Sequence, residues 1–365
     1  MFLSEISTDG FRNLDRLQIN LSKDLNVVYG DNAAGKSSLL EAICYLVSGR
    51  SFRTAKQNLL VSHDLDCFTI FGRFSDSSKL GVNYDKKQKS RKMKLNGEIV
   101  RSLSSIASLY PVQVLSPESY HLIDSGPLER RKYLDWLLFH VEHNYQNVWS
   151  VFYRSLKQRN AYLRSCLNGV KRSELDIWNK PYIEAAKQVD LLRESITSKI
   201  SPSIAKILNS LDFEYTKDLR ISYYSGYTGD LSSKLEESLS KDIMVGNTQY
   251  GPHKGDLKLK IGKYLAKDIL SRGQKKLLVN SLYLAQTEIL KDMTHKDSLF
   301  VVDDFASELD EFNQKSLILA LRDQKNVQII LSCLQADMLK PLIKGYNSVK
   351  MFHVEHGEIK ADEIS

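Results

Sequence analysis

A lysine and a serine close the stretch GDNAAGKS, residues 30–37, which fits the spacing GxxxxGK[ST]. Glycine lets backbone N–H groups turn toward phosphate oxygens, and a helix that begins here adds partial positive charge. Lys36 would reach the β- and γ-phosphates of a nucleotide, and the Ser37 hydroxyl would bind Mg²⁺. The alternative is a strand–helix turn that binds nothing. We predict ATP and Mg²⁺ as ligands, with the nucleotide contacted by Gly30, Asp31, Asn32, Ala33, Ala34, Gly35, Lys36, Ser37 and Ser38.

Two adjacent carboxylates end an apolar run in DSLFVVDDFASELD, residues 297–310. LFVVD is typical of a buried strand, and ligands of α/β sheets bind beyond the carboxyl ends of such strands. Asp303 would hold Mg²⁺, and Asp304 would polarise the attacking water, although its short side chain predicts slow turnover. Gln113, in YPVQVLSPES, is either a further Mg²⁺ ligand or an ordinary polar strand residue. The predicted catalytic set is Lys36, Asp303 and Asp304, and the sequence does not decide whether the chain is an enzyme.

The stretch LSRGQKKLL, residues 270–278, places a polar, glycine-containing turn directly before a helical pattern. It is similar to the LSGGQ-like sequence of ATP-binding-cassette proteins, which precedes the strand with the Mg²⁺-binding Asp. That sequence meets the γ-phosphate held by a second copy. The alternative is a plain helix cap, because serine is a good N-cap residue. Two sets of residues would lie at the dimer interface: Ser271, Arg272, Gly273 and Gln274 in the turn, and Ser307, Glu308 and Asp310 after the carboxylates.

The phosphate loop and the carboxylates lie near opposite ends of the chain, so both ends must build one core. LNVVYG predicts the strand before the loop, and SSLLEAICYLVSG predicts the helix after it, ending at Gly49. Residues 68–100 alternate like β-strands, and residues 127–210 have amphipathic helical spacing. LRISYYSGY then returns to a strand.

The predicted fold class is α/β, an ABC-type P-loop ATPase head with an antiparallel β subdomain and an inserted, mostly helical lobe. The N-terminal part of the ATPase lobe is predicted over residues 1–115, the helical lobe over 116–240, and the C-terminal part over 241–365. The middle segment lacks the sustained heptads that a long SMC coiled-coil arm requires.

Basic residues concentrate in DKKQKSRKMK, residues 85–94, at a predicted hairpin tip. Such a hairpin could contact DNA phosphates, giving affinity that depends on salt but not on base sequence. The alternative is a solvated turn. The DNA-binding candidates are Lys86, Lys87, Lys89, Arg91, Lys92, Lys94, Arg130 and Arg131, with Lys132, Arg50, Arg53, His253 and Lys254 as further basic residues. His253 is alternatively a buried, hydrogen-bonded histidine.

The composition of the chain is compatible with these interpretations but does not require them. The chain has 365 residues and a net charge of +7, which permits nucleic-acid binding. It contains no apolar run long enough to span a membrane, and its N-terminus does not have the pattern of a signal peptide. The four cysteines show no CxxC spacing, which favours reduced thiols and argues against a zinc site. We expect a cytoplasmic protein with no membrane partner.

With these motifs, the chain resembles the RecF family of bacterial DNA-repair and replication ATPases, which are related to the SMC head. The resemblance covers almost the whole sequence. It includes FRNL, GDNAAGKSSLLEAI, GRSFR, SPESYHLIDSGPLERRKYLDW, YGPHKGDL, LSRGQKKLL, VVDDFASELD and FHVEHGEI.

The resemblance implies ATP-dependent binding to single- and double-stranded DNA at gaps and junctions, ATP-driven homodimerisation and weak, DNA-stimulated ATP hydrolysis. It further implies work with RecR and RecO, help in loading the RecA recombinase, and support of the SOS response. Two departures concern the nucleotide site. Ala33 stands where related loops often carry glycine, and no histidine follows VQIILSC, so that either Ser332 or Gln335 would sense the γ-phosphate.

Other functions fit part of the same pattern. One is a nucleotide-gated structural clamp in which ATP binding assembles the dimer with negligible turnover. Another is an SMC-like or transporter-type ATPase subunit. The long insertion, the basic balance and SRGQ argue against a transporter subunit. The preferred DNA structure, the hydrolysis rate and the partner interface do not follow from the sequence.

Overall fold

Both ends of the chain fold into one unit, and the middle of the chain forms a second. The computed structural model describes residues 1–14, 16–165, 172–305, 311–324, 326–336, 339, 343 and 345–362. Unit 1 comprises Met1–Tyr120 and Lys276–Ser365, and unit 2 comprises His121–Lys275.

The strands and helices follow the chain in this order. The strands are β1 (Leu3–Asp9), β2 (Leu17–Asn20), β3 (Leu25–Tyr29), β4 (Cys67–Phe74), β5 (Lys79–Asp85), β6 (Ser90–Leu95), β7 (Glu98–Ile99), β8 (Val112–Leu115), β9 (Leu219–Tyr224), β10 (Asp256–Ile261), β11 (Tyr264–Leu265), β12 (Ser298–Val302), β13 (Val327–Cys333), β14 (Val349–Glu355) and β15 (Glu358–Asp362). The helices are α1 (Lys36–Ser48), α2 (Leu103–Leu109), α3 (His121–Asp124), α4 (Pro127–Val141), α5 (Tyr145–Ser165), α6 (Arg172–Ser210), α7 (Leu231–Glu237), α8 (Leu239–Val245), α9 (Ala266–Ile269), α10 (Arg272–Thr294) and α11 (Glu311–Arg322).

Unit 1 combines an antiparallel sheet with a largely parallel one. The antiparallel sheet has the order β2-β1-β4-β5-β6-β7, and β4 and β5 alternate between buried and more exposed residues, as one covered face requires. The other sheet has the order β15-β14-β3-β13-β12-β8, and only the β14–β15 pair in it is antiparallel. Every residue of β12 and β13 is buried, which explains why both strands are mostly apolar.

Helix α1 packs against both sheets of unit 1. Its Leu39 shares a buried cluster with Phe68 of the antiparallel sheet and Ile330 of the parallel sheet. Because the helix is covered on more than one side, its buried residues are not confined to one stripe. The helix ends as predicted at Gly49, which has a φ of 64° and donates its amide to the Tyr45 carbonyl over 2.8 Å.

Unit 2 contains helices α4, α5 and α6 and the antiparallel sheet β11-β10-β9. Helices α5 and α6 pack through a cluster that includes Phe152, Tyr182 and Val189. A fully buried ion pair joins Arg159 of α5 to Asp242 of α8, with 2.8 Å between Nη1 and Oδ2. Helix α8 is therefore anchored to α5.

The predicted fold class is confirmed: a P-loop α/β head carries an antiparallel β subdomain and a mostly helical insertion. Helices α4 to α6 cover the segment predicted as helical, and β4 to β7 cover the predicted strands. Residues 241–275, which the sequence analysis assigns to the ATPase lobe, lie in unit 2. The reason is that β10 pairs with β9 and that Asp242 bonds to Arg159. Among the described residues, no helix is both long and apolar enough to cross a membrane.

Candidate nucleotide-binding site

The phosphate loop connects β3 to the start of α1 at Lys36. Gly30 has a φ of 145°, and a Cβ there would lie 2.2 Å from the Val354 carbonyl oxygen. Only glycine therefore fits this position. The Lys36 Nζ donates to the carbonyls of Gly30 at 2.8 Å and Asp31 at 2.7 Å. The lysine thus folds back over the loop, in the place where the cation of a phosphate site belongs.

Two segments outside the motif hold the loop in shape. Ser38 donates its hydroxyl to Asn13 Oδ1 at 2.6 Å, and Asn13 Nδ2 donates to the Ala33 carbonyl at 3.3 Å. From the β14–β15 turn, the Gly357 amide donates to the Ala34 carbonyl at 2.8 Å. The sequence analysis missed both supports, although each lies in a stretch of the family resemblance, FRNL and FHVEHGEI.

The carboxylate of Asp303 lies beside the hydroxyl of Ser37, the two groups predicted to hold Mg²⁺. Ser37 Oγ and Ser332 Oγ each donate to Asp303 Oδ1 over 2.8 Å. The Asp304 amide donates to Ser332 Oγ, also over 2.8 Å. Strand β13 lies between β3 and β12 in the parallel sheet, so the ends of the three strands bring these residues together. Ser332, one of the two γ-phosphate sensor candidates, is therefore at the site, whereas Gln335 is exposed and does not line it.

These groups line a cleft of about 840 Å³ in unit 1. Its polar walls come from the phosphate loop, the Asp303–Asp304 pair and the segment after β8. The residues that line it include Arg12, Asn13, Asn32, Lys36, Ser37, Ser38, Arg53, Asn58, His63, Lys86, Ser116, Glu118, Asp303, Asp304 and Ser332. A cleft of this size and polarity accommodates a nucleotide.

Gln113 does not reach this cleft, so the structure does not support its assignment as a Mg²⁺ ligand. Its side chain is buried, and its Nε2 donates to Gln286 Oε1 at 2.8 Å. Its Oε1 accepts the Thr287 hydroxyl, so both ends of the amide are engaged by helix α10. Ser116 and Glu118, which follow the same strand, line the cleft instead.

A buried carboxylate on α1 organises the arginine side of the cleft. Glu41 is fully buried and receives two hydrogen bonds from Arg12, at 2.9 and 2.8 Å. It also accepts the Ser51 hydroxyl and lies 3.7 Å from Arg53. Because the carboxylate fixes the guanidinium of Arg12, that side chain borders the cleft in one defined orientation. The sequence analysis did not single out Arg12 or Glu41.

Mg²⁺ fits the donors at the end of the loop. A Ser hydroxyl and one carboxylate lie within a hydrogen bond of each other, which suits an ion that takes its other ligands from phosphates and water. The described residues contain no cluster of three His, Cys, Asp or Glu side chains that could hold a metal alone. The residues that would hold Mg²⁺ are Ser37 and Asp303.

The LSRGQ turn forms a reciprocal helix cap at the start of α10. The Ser271 amide donates to Gln274 Oε1 at 2.9 Å, and the Gln274 amide donates to Ser271 Oγ at 3.3 Å. The turn therefore caps its own helix, as the plain-cap alternative predicts. Ser271 and Arg272 are exposed, so the turn is also open to a partner. The predicted interface residues Ser307, Glu308 and Asp310 lie outside the described part of the chain.

The structure contains the predicted basic hairpin at residues 85–94, but its basic side chains lie in different environments. Lys86, Lys87, Lys89, Lys92 and Lys94 are exposed. Lys87 pairs with Asp66 at 2.5 Å. Arg91 is the exception, because the two-residue period of β6 puts it on the same face as buried Met93, and its guanidinium donates to the Gly49 carbonyl. Arg91 therefore does not support the DNA-contact hypothesis.

Arg130 and Arg131 of α4, and His253, form contacts within the chain. Arg130 pairs with both oxygens of Asp256, at 2.7 and 3.2 Å. Arg131 donates to the Gly255 carbonyl at 2.8 Å, and its pKa is lowered, chiefly by burial. His253 lies 2.9 Å from the Thr248 carbonyl through Nε2, and burial lowers its pKa to about 4. The structure therefore favours internal roles for these three residues over DNA contacts.

Ala33 adopts a backbone conformation that suits glycine, with a φ of 64°. We expect Ala33→Gly to raise the free energy of unfolding by about 1 kcal/mol, because a left-handed L-residue carries a steric cost that glycine avoids. Urea denaturation checks this value. Ala34→Gly is the matched control, since Ala34 does not have a positive φ, and it should lower stability instead. Equal effects of both substitutions would show that the conformation of Ala33 carries no strain.

The fold and the site together define an ABC-type ATPase head of the kind found in SMC proteins. The family described as the RecF/RecN/SMC N-terminal domain matches residues 2–360. The SMC head bound to the C-terminal winged-helix domain of ScpA has a TM-score of 0.60 at 15% identity, covers 100% of this chain and 98% of that one, and supports the fold alone.

Similarity to RecF proteins is much closer. The DNA replication and repair protein RecF of Pseudoalteromonas translucida is 35% identical over 366 residues, which are 98% of this chain and 99% of that protein. RecF of Stutzerimonas stutzeri is 36% identical over 367 residues, 98% and 97% of the two chains. A structure of the recombination mediator protein RecF with ATP, in the RecFOR pathway, has a TM-score of 0.84 at 29% identity and covers 99% of this chain and 98% of that one. The chain therefore belongs to the RecF family of DNA replication and repair proteins.

Proposed function

We propose that this chain is an ATP- and Mg²⁺-dependent DNA-binding protein of recombinational repair and replication-fork maintenance. The observation that carries the proposal is the cleft in which Lys36 lies over the phosphate loop and Ser37 contacts Asp303. The ATP-bound relative with 29% identity supports the same ligand. In this role Lys36 binds the β- and γ-phosphates, and Ser37 and Asp303 hold Mg²⁺.

The remaining parts of the proposal concern assembly and partners. ATP drives formation of a homodimer on gapped or junction DNA, because the LSRGQ turn of one copy closes on the nucleotide of the other. Hydrolysis is slow and releases the dimer. RecR and RecO are the proposed protein partners, and the assembly helps load the RecA recombinase and supports the SOS response. The exposure of Ser271 and the RecFOR pathway of the solved relative support these steps.

The test of this function is sedimentation together with DNA binding, with and without ATP, at two salt concentrations. The proposed function predicts a monomer without ATP, a dimer with ATP and Mg²⁺, and tighter binding to gapped DNA in the dimeric state. Binding should weaken steeply as salt rises, because phosphate contacts release counterions. A chain that remains monomeric at saturating ATP, or binds DNA equally with and without ATP, would contradict the proposal.

Asp304→Asn should preserve ATP binding and slow hydrolysis by roughly 100-fold or more, the range expected for loss of a general base. Asp304 lines the cleft but is not the acceptor of the Ser37 hydroxyl, so Mg²⁺ binding is retained. The dimer should become long-lived. Asp303→Asn is the comparison, and it should weaken Mg²⁺-dependent ATP binding as well.

Turnover of Asp304→Asn also separates two functions. Asp304 has a shorter reach than glutamate, which favours a second candidate, a nucleotide-gated clamp with negligible turnover. Equal turnover in the unmodified chain and in Asp304→Asn would remove the water-polarising role. Turnover of the unmodified chain that is negligible over the half-life of the dimer would favour the clamp.

A further inference from the structure

A basic sheet face in unit 2 lies outside every site described above. Strand β10 alternates strictly, with Leu257, Leu259 and Ile261 buried. The residues between them, Lys258 and Lys260, point to the opposite face and are partly exposed.

Strand β9 contributes to the same face through its pairing with β10. Ser222 lies opposite Lys258, and Arg220 lies opposite Lys260. Tyr223, on the other face, donates its hydroxyl to Asp190 of helix α6, which identifies that face as the inner one. The outer basic face therefore carries Arg220, Ser222, Tyr224, Lys258 and Lys260, with Asp256 opposite Tyr224 at one end and Leu265 of β11 beside Lys260.

Two of the three cations on this face, Lys258 and Arg220, are held in place by groups that do not neutralise them. The Lys258 ammonium lies 4.4 Å from the centre of the Tyr224 ring, in a cation–π contact. Arg220 donates to the carbonyls of Lys217 at 3.0 Å and Leu219 at 3.3 Å. Among the described residues, no carboxylate forms an ion pair with Arg220, Lys258 or Lys260. The positive charge of these three residues is thus not compensated by an ion pair, and contacts within the sheet order two of them, Arg220 and Lys258.

Placing these like charges close together lowers the stability of the sheet, and packing within the chain does not explain why they are there. Arg220 and Lys260 are directly opposite each other on neighbouring strands, and like charges in that position destabilise a sheet. Lys258 and Lys260 are about 7 Å apart along the strand. The one acidic residue of these two strands, Asp256, is already paired with Arg130 at 2.7 Å. An external polyanion would remove the repulsion.

We propose that the outer basic face of the β9–β10 sheet contacts the phosphate backbone of DNA. This inference rests on the proposed function, since it names a surface through which unit 2 would bind the same nucleic acid. Guanidinium and ammonium groups bind phosphate oxygens, Ser222 adds a hydroxyl donor, and the Tyr224 ring holds Lys258 in a fixed position. Such contacts give affinity that is independent of base sequence and sensitive to salt.

The experiment compares two triple variants of the full chain in ATP and Mg²⁺. Arg220→Gln, Lys258→Gln and Lys260→Gln together remove three positive charges from the outer basic face. The matched control, Lys157→Gln, Lys180→Gln and Lys241→Gln, removes three charges from exposed helical positions of the same unit. The sheet variant should bind DNA roughly tenfold or more weakly near 0.1 M salt, and its slope of log K against log salt should fall by about 0.9 for each phosphate that is no longer neutralised. The control should retain the affinity and the slope.

Stability and nucleotide binding show whether the sheet variant is intact. Removing like-charge repulsion should leave its unfolding temperature unchanged or higher, and ATP binding should be unaffected. Equal DNA binding by both triple variants would overturn the inference. Unchanged DNA binding with loss of binding to RecR or RecO would assign the face to a protein partner and would also overturn it. Failure of the unmodified chain to bind DNA in any nucleotide state would contradict the proposed function itself, and this inference with it.

Discussion

Lys36→Ala is expected to abolish ATP-dependent dimerisation and DNA binding. The Lys36 ammonium is buried and is held by two loop carbonyls, so it is positioned for the phosphates before any nucleotide arrives. Removing it leaves the negative charge of the β- and γ-phosphates without its cation. A charge-assisted hydrogen bond contributes roughly 1.5–3 kcal/mol, and two such bonds correspond to a loss of affinity of roughly 100-fold or more.

Calorimetric titration with ATP and Mg²⁺ measures this decrease in affinity directly. Lys56→Ala is the control, because Lys56 is an exposed lysine of the same unit that does not line the cleft. Thermal unfolding without nucleotide distinguishes weaker nucleotide binding from a damaged fold. If Lys36→Ala binds ATP and dimerises like the unmodified chain, the phosphate-loop assignment is incorrect.

Contiguous motifs were predictable because their residues act at fixed spacing along the chain. The phosphate loop and its flanking strand and helix follow from residues 25–49 alone, since the glycines, the lysine and the apolar runs all lie there. The position of Asp303 at a strand end follows for the same reason. The contact between Ser37 and Asp303 depends on a parallel sheet built from distant segments of the chain. The order of the motifs predicts that the two residues lie close together, but it does not give the geometry of their contact.

Residues that act through tertiary contacts were not predictable in this way. Gln113 lies on β8, in the sheet that carries the site. Its amide, however, forms hydrogen bonds with two residues of α10 that are far away in the sequence. Asn13 shapes the phosphate loop from the β1–β2 connection, and although it lies in FRNL, that stretch does not reveal which residues it contacts. Arg91 is different, because the alternation of β6 alone places it beside Met93 on the buried face. At this position strand periodicity predicts the environment of the side chain, and the clustering of charge does not.

Gly273 of the LSRGQ turn supports the proposal that this turn acts on the nucleotide of a partner copy. Gly273 lies in the first turn of α10, where glycine lowers helix stability relative to alanine. Apart from adjoining residues of the helix, no described residue has a heavy atom within 4 Å of a Cβ placed at Gly273. Packing within the chain therefore does not require glycine. Close approach of a partner's phosphate would require it, because a side chain would occupy that space.

Ser271→Arg should therefore leave ATP binding by the monomer nearly intact and prevent dimerisation and hydrolysis. The nucleotide is held by the phosphate loop, which the substitution does not touch. The arginine would fill the turn that, in the proposed dimer, closes on the γ-phosphate of the partner. Loss of the helix cap costs about 1 kcal/mol, and Ser271→Ala measures that cost without adding bulk. Gly273→Ala is the second control, since it should stabilise the isolated chain and still impair the dimer.

Mixing two defective chains gives the sharpest test of action in trans. Lys36→Ala lacks a working phosphate loop and keeps its LSRGQ turn, whereas Ser271→Arg has the reverse defect. Together they form one complete composite site, in which Ser271→Arg holds ATP and Lys36→Ala closes on it. Heterodimers should appear when ATP is added to the mixture, and hydrolysis should return to at most about half of the unmodified level per dimer, because one of two equivalent sites is whole. If Ser271→Arg instead abolishes ATP binding by the monomer while Ser271→Ala does not, the turn acts on the nucleotide of its own chain, and the trans assignment fails.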